Sequence, residues 1–250
     1  MSYRGRHPPL NCLTIAGWDP TGGAGVVADC QTFWQLGARA SAVLTTITAQ
    51  NARRVESLKP LPAPHLEQQL RMVVADSQFQ AVKIGLLASA AQVRLLAGWM
   101  ERFSGHPLVL DPVMWSSSGT RLCSPATVTA LRKWLLPLVS AITPNAREAG
   151  ALLGRQVSGS AGRRRAAAEL SRRGPLVVLT GGDSFGDPVD YLGQQGEVVE
   201  LPGRRLPGTA RGTGCRFSSV LAVLLARGLH AAAAVRRAAA FTRKYIEQSR

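Results

Sequence analysis

Short apolar runs rich in β-branched residues recur along this chain, each followed by a longer stretch with apolar residues at helical spacing. The first run predicts a buried strand over 12–16, broken by a glycine-rich loop over 17–25. A helix over 26–36 follows, stopped by Gly37, and then a second buried strand over 40–47. Residues 48–58 are polar and predict a loop that opens on Gln50-Asn51. Further helices are predicted over 64–76, 89–103 and 124–136, with Ser89 and Ser124 as N-caps and Pro125 in a first turn. Between and after them come strands over 81–85, 107–110, 139–142 and 176–179, and helices over 147–153 and 161–173. Residues 189–192 and 197–201 predict a hairpin at a sheet edge, and helices over 220–227 and 231–248 close the chain. This alternation predicts an α/β fold, a mostly parallel sheet covered on both faces. No linker divides it, so 10–250 is expected to be a single domain. Residues 1–9 are basic without an apolar core, which predicts a frayed start and no secretory leader.

Composition narrows the function classes. The 250 residues are 46% hydrophobic, enough for a sizeable core. Net charge is +15, but only Lys59, Lys83, Lys133 and Lys244 are lysines, and the arginines are scattered. No basic stripe interleaves with aromatics, so solvated helix faces explain the charge and no nucleic-acid partner is expected. Cys12, Cys30, Cys123 and Cys215 form no C-x-x-C pair, and His7, His65, His106 and His230 are scattered as well. That pattern predicts reduced thiols and a cytoplasmic protein. No apolar run reaches spanning length, so no membrane partner is expected.

Parallel sheets bind ligands beyond the carboxyl ends of their strands, where Asp19, Gln50, Lys83, Asp111, Asn145 and Thr180 fall. The stretch Arg211-Gly212-Thr213-Gly214-Cys215-Arg216 is a glycine-rich turn feeding a helix. Its free amides sit at the positive end of the helix dipole, an arrangement that cradles anions and favours the Cys215 thiolate. Gly23-x-Gly25-x-x-Ala28 loosely matches a dinucleotide fingerprint, but Thr45-Thr46 stands where an acidic residue is needed, and no Gly-Lys-Ser/Thr occurs. Taken singly, the other residues have plain readings: Asn145 as a helix cap, Glu148 as a dipole partner, and Lys83 as a solvated strand-end lysine.

Together the motifs resemble one family. Ala16-Gly17-x-Asp19-Pro20-x-Gly22-Gly23-Ala24-Gly25, Thr48-Ala49-Gln50-Asn51, Lys83-Ile84-Gly85, Asp111-Pro112-Val113-Met114, Ile142-Thr143-Pro144-Asn145 and Gly212-Thr213-Gly214-Cys215 occur in that order. This is the order seen in the hydroxymethylpyrimidine/phosphomethylpyrimidine kinases of thiamine biosynthesis. The resemblance implies a ribokinase-like three-layer α/β/α sandwich, ATP and Mg²⁺ as cofactors, a pyrimidine alcohol as substrate and a homodimer. It implies Cys215 as the base, with Gly212, Thr213 and Gly214 forming the anion hole around it. Gln50 would read the ring, with Ala24, Asp29, Val113 and Leu86 completing the pocket. Asn145 and Glu148 would organise Mg²⁺ and phosphates, Asp111 would join that charge cluster as a second metal carboxylate, and Thr180 and Arg211 would stand at the nucleotide.

The sequence also departs from the family pattern. Thr180 replaces a usual lysine, Ser117 another, Arg211 a histidine, Trp18 a small residue and Leu86 a pocket methionine. A lost phosphate-contacting lysine costs about 1.5–3 kcal/mol, which Arg211 and Arg216 are expected to offset. These departures leave two rivals open: a pyridoxal/pyridoxine kinase, and a pyrimidine-binding module with weak turnover.

Overall fold

The protein is described by a computed structural model over residues 9–208 and 210–249. The expected frayed start therefore falls, but for residue 9, outside the described residues. In chain order the elements are β1 (Asn11–Trp18), α1 (Gly25–Gln35), β2 (Arg39–Gln50), β3 (Val55–Pro60), α2 (Ala63–Asp76), β4 (Ala81–Ile84) and α3 (Ala90–Trp99). They continue as β5 (Leu108–Leu110), α4 (Pro125–Ala130), β6 (Ala141–Ile142), α5 (Ala146–Leu153), α6 (Gly159–Ser171) and β7 (Leu176–Leu179). The chain ends with β8 (Val189–Gln194), β9 (Glu197–Pro202), α7 (Thr213–Ala226) and α8 (Ala231–Gln248).

The strands form one nine-stranded sheet in the order β3-β2-β1-β4-β5-β6-β7-β8-β9. The six inner strands β2, β1, β4, β5, β6 and β7 run parallel. Antiparallel β3 closes one edge, and the β8–β9 hairpin closes the other. Two apolar cores lie on the two faces of the sheet, which makes the layers α/β/α as expected. One holds Leu66 and Leu70 of α2, Val93 and Leu96 of α3 and Leu152 of α5, packed on Val82 and Ile84 of β4. The other holds Phe33 of α1, Val220–Leu224 of α7 and Ala234, Val235 and Ala238 of α8, packed on Ala81 and Val109. Side chains alternate along a strand, so Lys83 shares a face with Ala81 and points towards α1 and α7.

Three elements differ from the sequence expectation. Residues 48–58 are not a polar loop: β2 runs on to Gln50, turns at Asn51, and returns as β3. The Asn51 side chain accepts from the amides of Arg53 and Arg54 and makes that turn. β3 is exposed at most positions, so it lacks the apolar alternation that marks a strand. Helix α7 starts at Thr213 rather than 220, because tertiary packing recruits the weak helix formers at its start. Residues 131–135 widen into a π turn and Leu136–Leu138 tighten into a 3-10 turn after α4.

Candidate active site

The carboxyl ends of the parallel strands open into a cavity of about 240 Å³. Gln50, Leu86, Val113, Asp111, Asn145, Glu148, Thr180 and Ala24 all line it, together with Arg211, Gly212, Thr213, Gly214 and Cys215. Every sequence-predicted site residue is thus brought together except Asp29, which lies beneath the cavity and is fully buried. Its Oδ2 accepts from Thr14 Oγ1 at 2.6 Å and from Lys83 Nζ at 2.8 Å, and its Oδ1 accepts from Ser219 Oγ at 2.9 Å. The expectation that Asp29 contacts substrate is therefore corrected: both its oxygens are committed inside the protein. Lys83 is corrected too. It is fully buried, not solvated, and also stands 3.9 Å from Asp111 Oδ2.

The cradle is the first turn of α7. Gly212 is its N-cap in the left-handed region at φ +68°, and a Cβ there would run into the Gly23 carbonyl. The Gly212 carbonyl accepts from the Arg216 amide at 2.9 Å, so the amides of Thr213, Gly214 and Cys215 fall in the turn that has no intrahelical acceptor. The loop after β1 is knitted to this turn. Asp19 accepts from the amides of Thr21 and Ala24 and from Arg211 Nη2 at 3.1 Å, while Arg211 Nη1 reaches Thr21 Oγ1 at 2.9 Å. Arg216 donates to the Gly23 carbonyl and to Gln31 Oε1, and its guanidinium stacks 3.9 Å from the Tyr245 ring. It is buried and does not line the cavity, so it does not stand in for the missing lysine.

Asn145 and Glu148 form a reciprocal cap on α5: the Glu148 amide donates to Asn145 Oδ1 at 2.9 Å, and the Asn145 amide donates to Glu148 Oε2 at 3.0 Å. The plain capping reading is therefore real, yet both residues also face the cavity. Burial pushes the Glu148 carboxyl up to about 8, helped by the charge of Asp111 and opposed by hydrogen bonds from the Asn145 and Met114 amides. Burial likewise raises Asp111, while Lys83 and hydrogen bonds from Ser218 and Cys215 hold it down. For Cys215 the same desolvation outweighs the pull of Lys83 and the Gly25 amide and drives the thiol up to about 12. The expected dipole-favoured thiolate is thus overruled by burial.

Thr180 joins this cavity to a second of about 460 Å³, which also shares Ala210, Thr213 and Gly214 with it. Pro202, Leu206, Ala239, Arg243 and Ile246 are among its walls, and sequence reasoning missed them. The glycine- and proline-rich stretch after the hairpin was a signal for Pro202 and Leu206, whereas Ala239, Arg243 and Ile246 lie on α8, where nothing local marks a cavity wall. Arg163 is held by Asp183 at 2.7 Å and by the Thr180 carbonyl, so it leaves the position of the usual lysine unfilled.

An anion cradle, a thiol and buried carboxylates where two cavities meet define a site of phosphotransferase type. The phosphomethylpyrimidine kinase family profile matches residues 19–250, and the chain belongs to that family. The hydroxymethylpyrimidine/phosphomethylpyrimidine kinase of Streptomyces coelicolor is 40% identical over 235 residues, 92% of this chain and 86% of its own length. The chloroplastic thiamine biosynthetic bifunctional enzyme of Arabidopsis thaliana is 38% identical over 95% of this chain, which spans only 47% of that longer enzyme. Among solved structures, the phosphomethylpyrimidine kinase of Clostridium difficile superposes with a TM-score of 0.82 at 32% identity, over 95% of this chain and 99% of that one. The pyridoxal kinase of Staphylococcus aureus in complex with ADP gives 0.87 at 28% identity, over 96% and 89%.

Proposed function

We propose that this chain catalyses ATP-dependent phosphorylation of 4-amino-5-hydroxymethyl-2-methylpyrimidine and of its monophosphate in thiamine biosynthesis. The observation that carries this reading is Cys215 sharing one cavity with Gln50, while a second cavity opens onto the same helical turn. The Gln50 side-chain amide makes no hydrogen bond among the described residues, which leaves a donor and an acceptor for an aminopyrimidine edge. Leu86, Val113 and Ala24 supply apolar walls, and half-exposed Trp18 narrows the mouth. The second cavity suits the nucleotide, with its terminal phosphate at the amides of Thr213, Gly214 and Cys215.

The Cys215 thiolate takes the hydroxymethyl proton, breaking O–H and forming S–H. The alkoxide oxygen then attacks the γ-phosphorus, and the bridging P–O bond breaks with its electron pair leaving on ADP. Because the thiol lies at about 12, the thiolate fraction grows tenfold per pH unit below that value, so kcat/KM should rise through the alkaline range.

Magnesium fits the residues present. No group of three His, Cys, Asp or Glu among the described residues is arranged to hold a metal by itself. Asp111 and Glu148 are, however, two buried carboxylates facing one cavity, and magnesium is commonly held by one or two carboxylates plus substrate phosphates. When bound, it would neutralise charge on the transferring phosphoryl group. A homodimer, a cytoplasmic location and a single folding unit over 10–250 belong to the same reading; sedimentation at twice 26.6 kDa checks the first.

An ADP-release assay with the pyrimidine alcohol and with pyridoxal, alongside Cys215→Ala, tests the assignment. Turnover should favour the pyrimidine, and Cys215→Ala should lose about 10²–10⁴-fold in kcat. A faster reaction with pyridoxal selects the sister kinase. Tight pyrimidine binding without turnover in the unaltered protein selects the binding module.

A further inference from the structure

The second cavity carries an imbalance of charge. Among its described lining residues Arg204, Arg205, Arg236 and Arg243 are cations, and Asp190 of β8 is the one acid. Arginines suit a wall that faces phosphates, whereas a carboxylate repels them. Asp190 therefore needs another reason. Its Oδ1 accepts from the Gly181 amide at 2.8 Å, and Gly181 has to be bare, since a Cβ there would run into the Val189 backbone. No other hydrogen bond and no ion pair reaches Asp190 among the described residues. A carboxylate only accepts, with about four lone-pair sites on its two oxygens. One side of Asp190 is thus held, and the other is left for a donor. Burial pushes this carboxyl up, against the Gly181 amide and the charge of Arg243. A donor supplied by a ligand counts for more there than in open water.

The place of Asp190 selects the donor. Gly181 follows Thr180, which lines both cavities, so Asp190 is tied to the boundary at which the α7 amides take the terminal phosphate. Pro202, Leu206, Ala239 and Ile246 give the same cavity an apolar wall suited to the faces of a flat base. Phosphates offer a carboxylate no proton to accept, whereas the sugar that joins them to the base offers two hydroxyls. We propose that Asp190 is the ribose-reading residue of this site: its uncommitted oxygen accepts from the 2′- and 3′-hydroxyls of the donor nucleotide. A carboxylate accepting from ribose hydroxyls is a general device of nucleotide sites. The proposal rests on the nucleotide placement given above.

The experiment is calorimetric titration of the full chain with ADP and with 2′,3′-dideoxyadenosine diphosphate, each with magnesium. The unaltered protein should bind ADP about tenfold more tightly than the dideoxy analogue. Asp190→Asn keeps an acceptor for the Gly181 amide but loses the charge, and should cut that ratio to about threefold or less. Asp190→Ala should bring it to about one. If Asp190→Ala does not fold, Asp190→Asn carries the test. A ratio near one in the unaltered protein overturns the proposal. Equal loss for both nucleotides in the variants, as a merely structural Asp190 gives, overturns it too. So does absence of ADP binding, and alcohol turnover then judges the kinase reading by itself. A ratio that collapses in a protein that phosphorylates nothing would sink the kinase reading and leave this one standing, and normal turnover with the ratio unmoved would do the reverse.

Discussion

On the Gln50 side, the first turn of α7 meets a cavity of about 240 Å³ locked by buried charge; on the α8 side it meets one of about 460 Å³ walled largely by loop and helix surface. The first side is held by Asp19, Arg211 and Arg216 bridging two loops, over the Asp29–Lys83 pair. The second is held by Arg205, exposed, with hydrogen bonds to the carbonyls of Ser184 and Gly186. The difference separates two tasks. On the proposed reading, chemistry that needs a fixed base and a fixed alcohol falls where the polar groups are buried and satisfied, and so resist movement. Loops with exposed hydrogen bonds sit where a ligand must enter and leave.

Arg211→Ala attacks the locked side and should give the largest effect after Cys215→Ala. Arg211 lines the Gln50 cavity and not the second one. It is held by Asp19 and Thr21 rather than free at the nucleotide as the resemblance implied. Its loss should therefore raise KM for the alcohol by about ten- to a hundredfold, while KM for ATP changes little. A parallel rise in both would erase the division between the two sides. Thr180→Lys sharpens the other side. Restoring a cation at the boundary should lower KM for ATP by about tenfold without altering the alcohol KM, as steady-state kinetics would show. The smallest effect concerns Glu148. Its folded carboxyl is raised to about 8, so the stability it contributes is whole below the unfolded carboxylate value and is lost as pH climbs through about 8. Thermal melting should fall over that window, and Glu148→Gln should flatten the fall.

The sequence alternation carried most of the architecture because buried parallel strands are apolar on both faces, and β5 and β7 read as such. It failed at β3, where an exposed edge strand has no apolar face to display. The ordered motifs led to the cavity, since turn glycines and strand-end polar residues are local signals. Lys83 was misread because its partner lies 54 residues away, on α1, and a charged residue in a strand looks like an interruption. Arg216 was misread for the same reason: Gly23, Gln31 and Tyr245 reach it only through the fold. The acidity of Cys215 was misjudged because the dipole is visible in a helix start, whereas desolvation depends on everything packed around it.

The two compartments are assembled largely from different halves of the polypeptide, with Gln50, Leu86 and Val113 in the first and Pro202, Ala239 and Ile246 in the second. Their partition is a single turn of α7. On the proposed reading, drift among Gln50, Leu86 and Val113 alters which alcohol is accepted while the walls of the second compartment stay untouched.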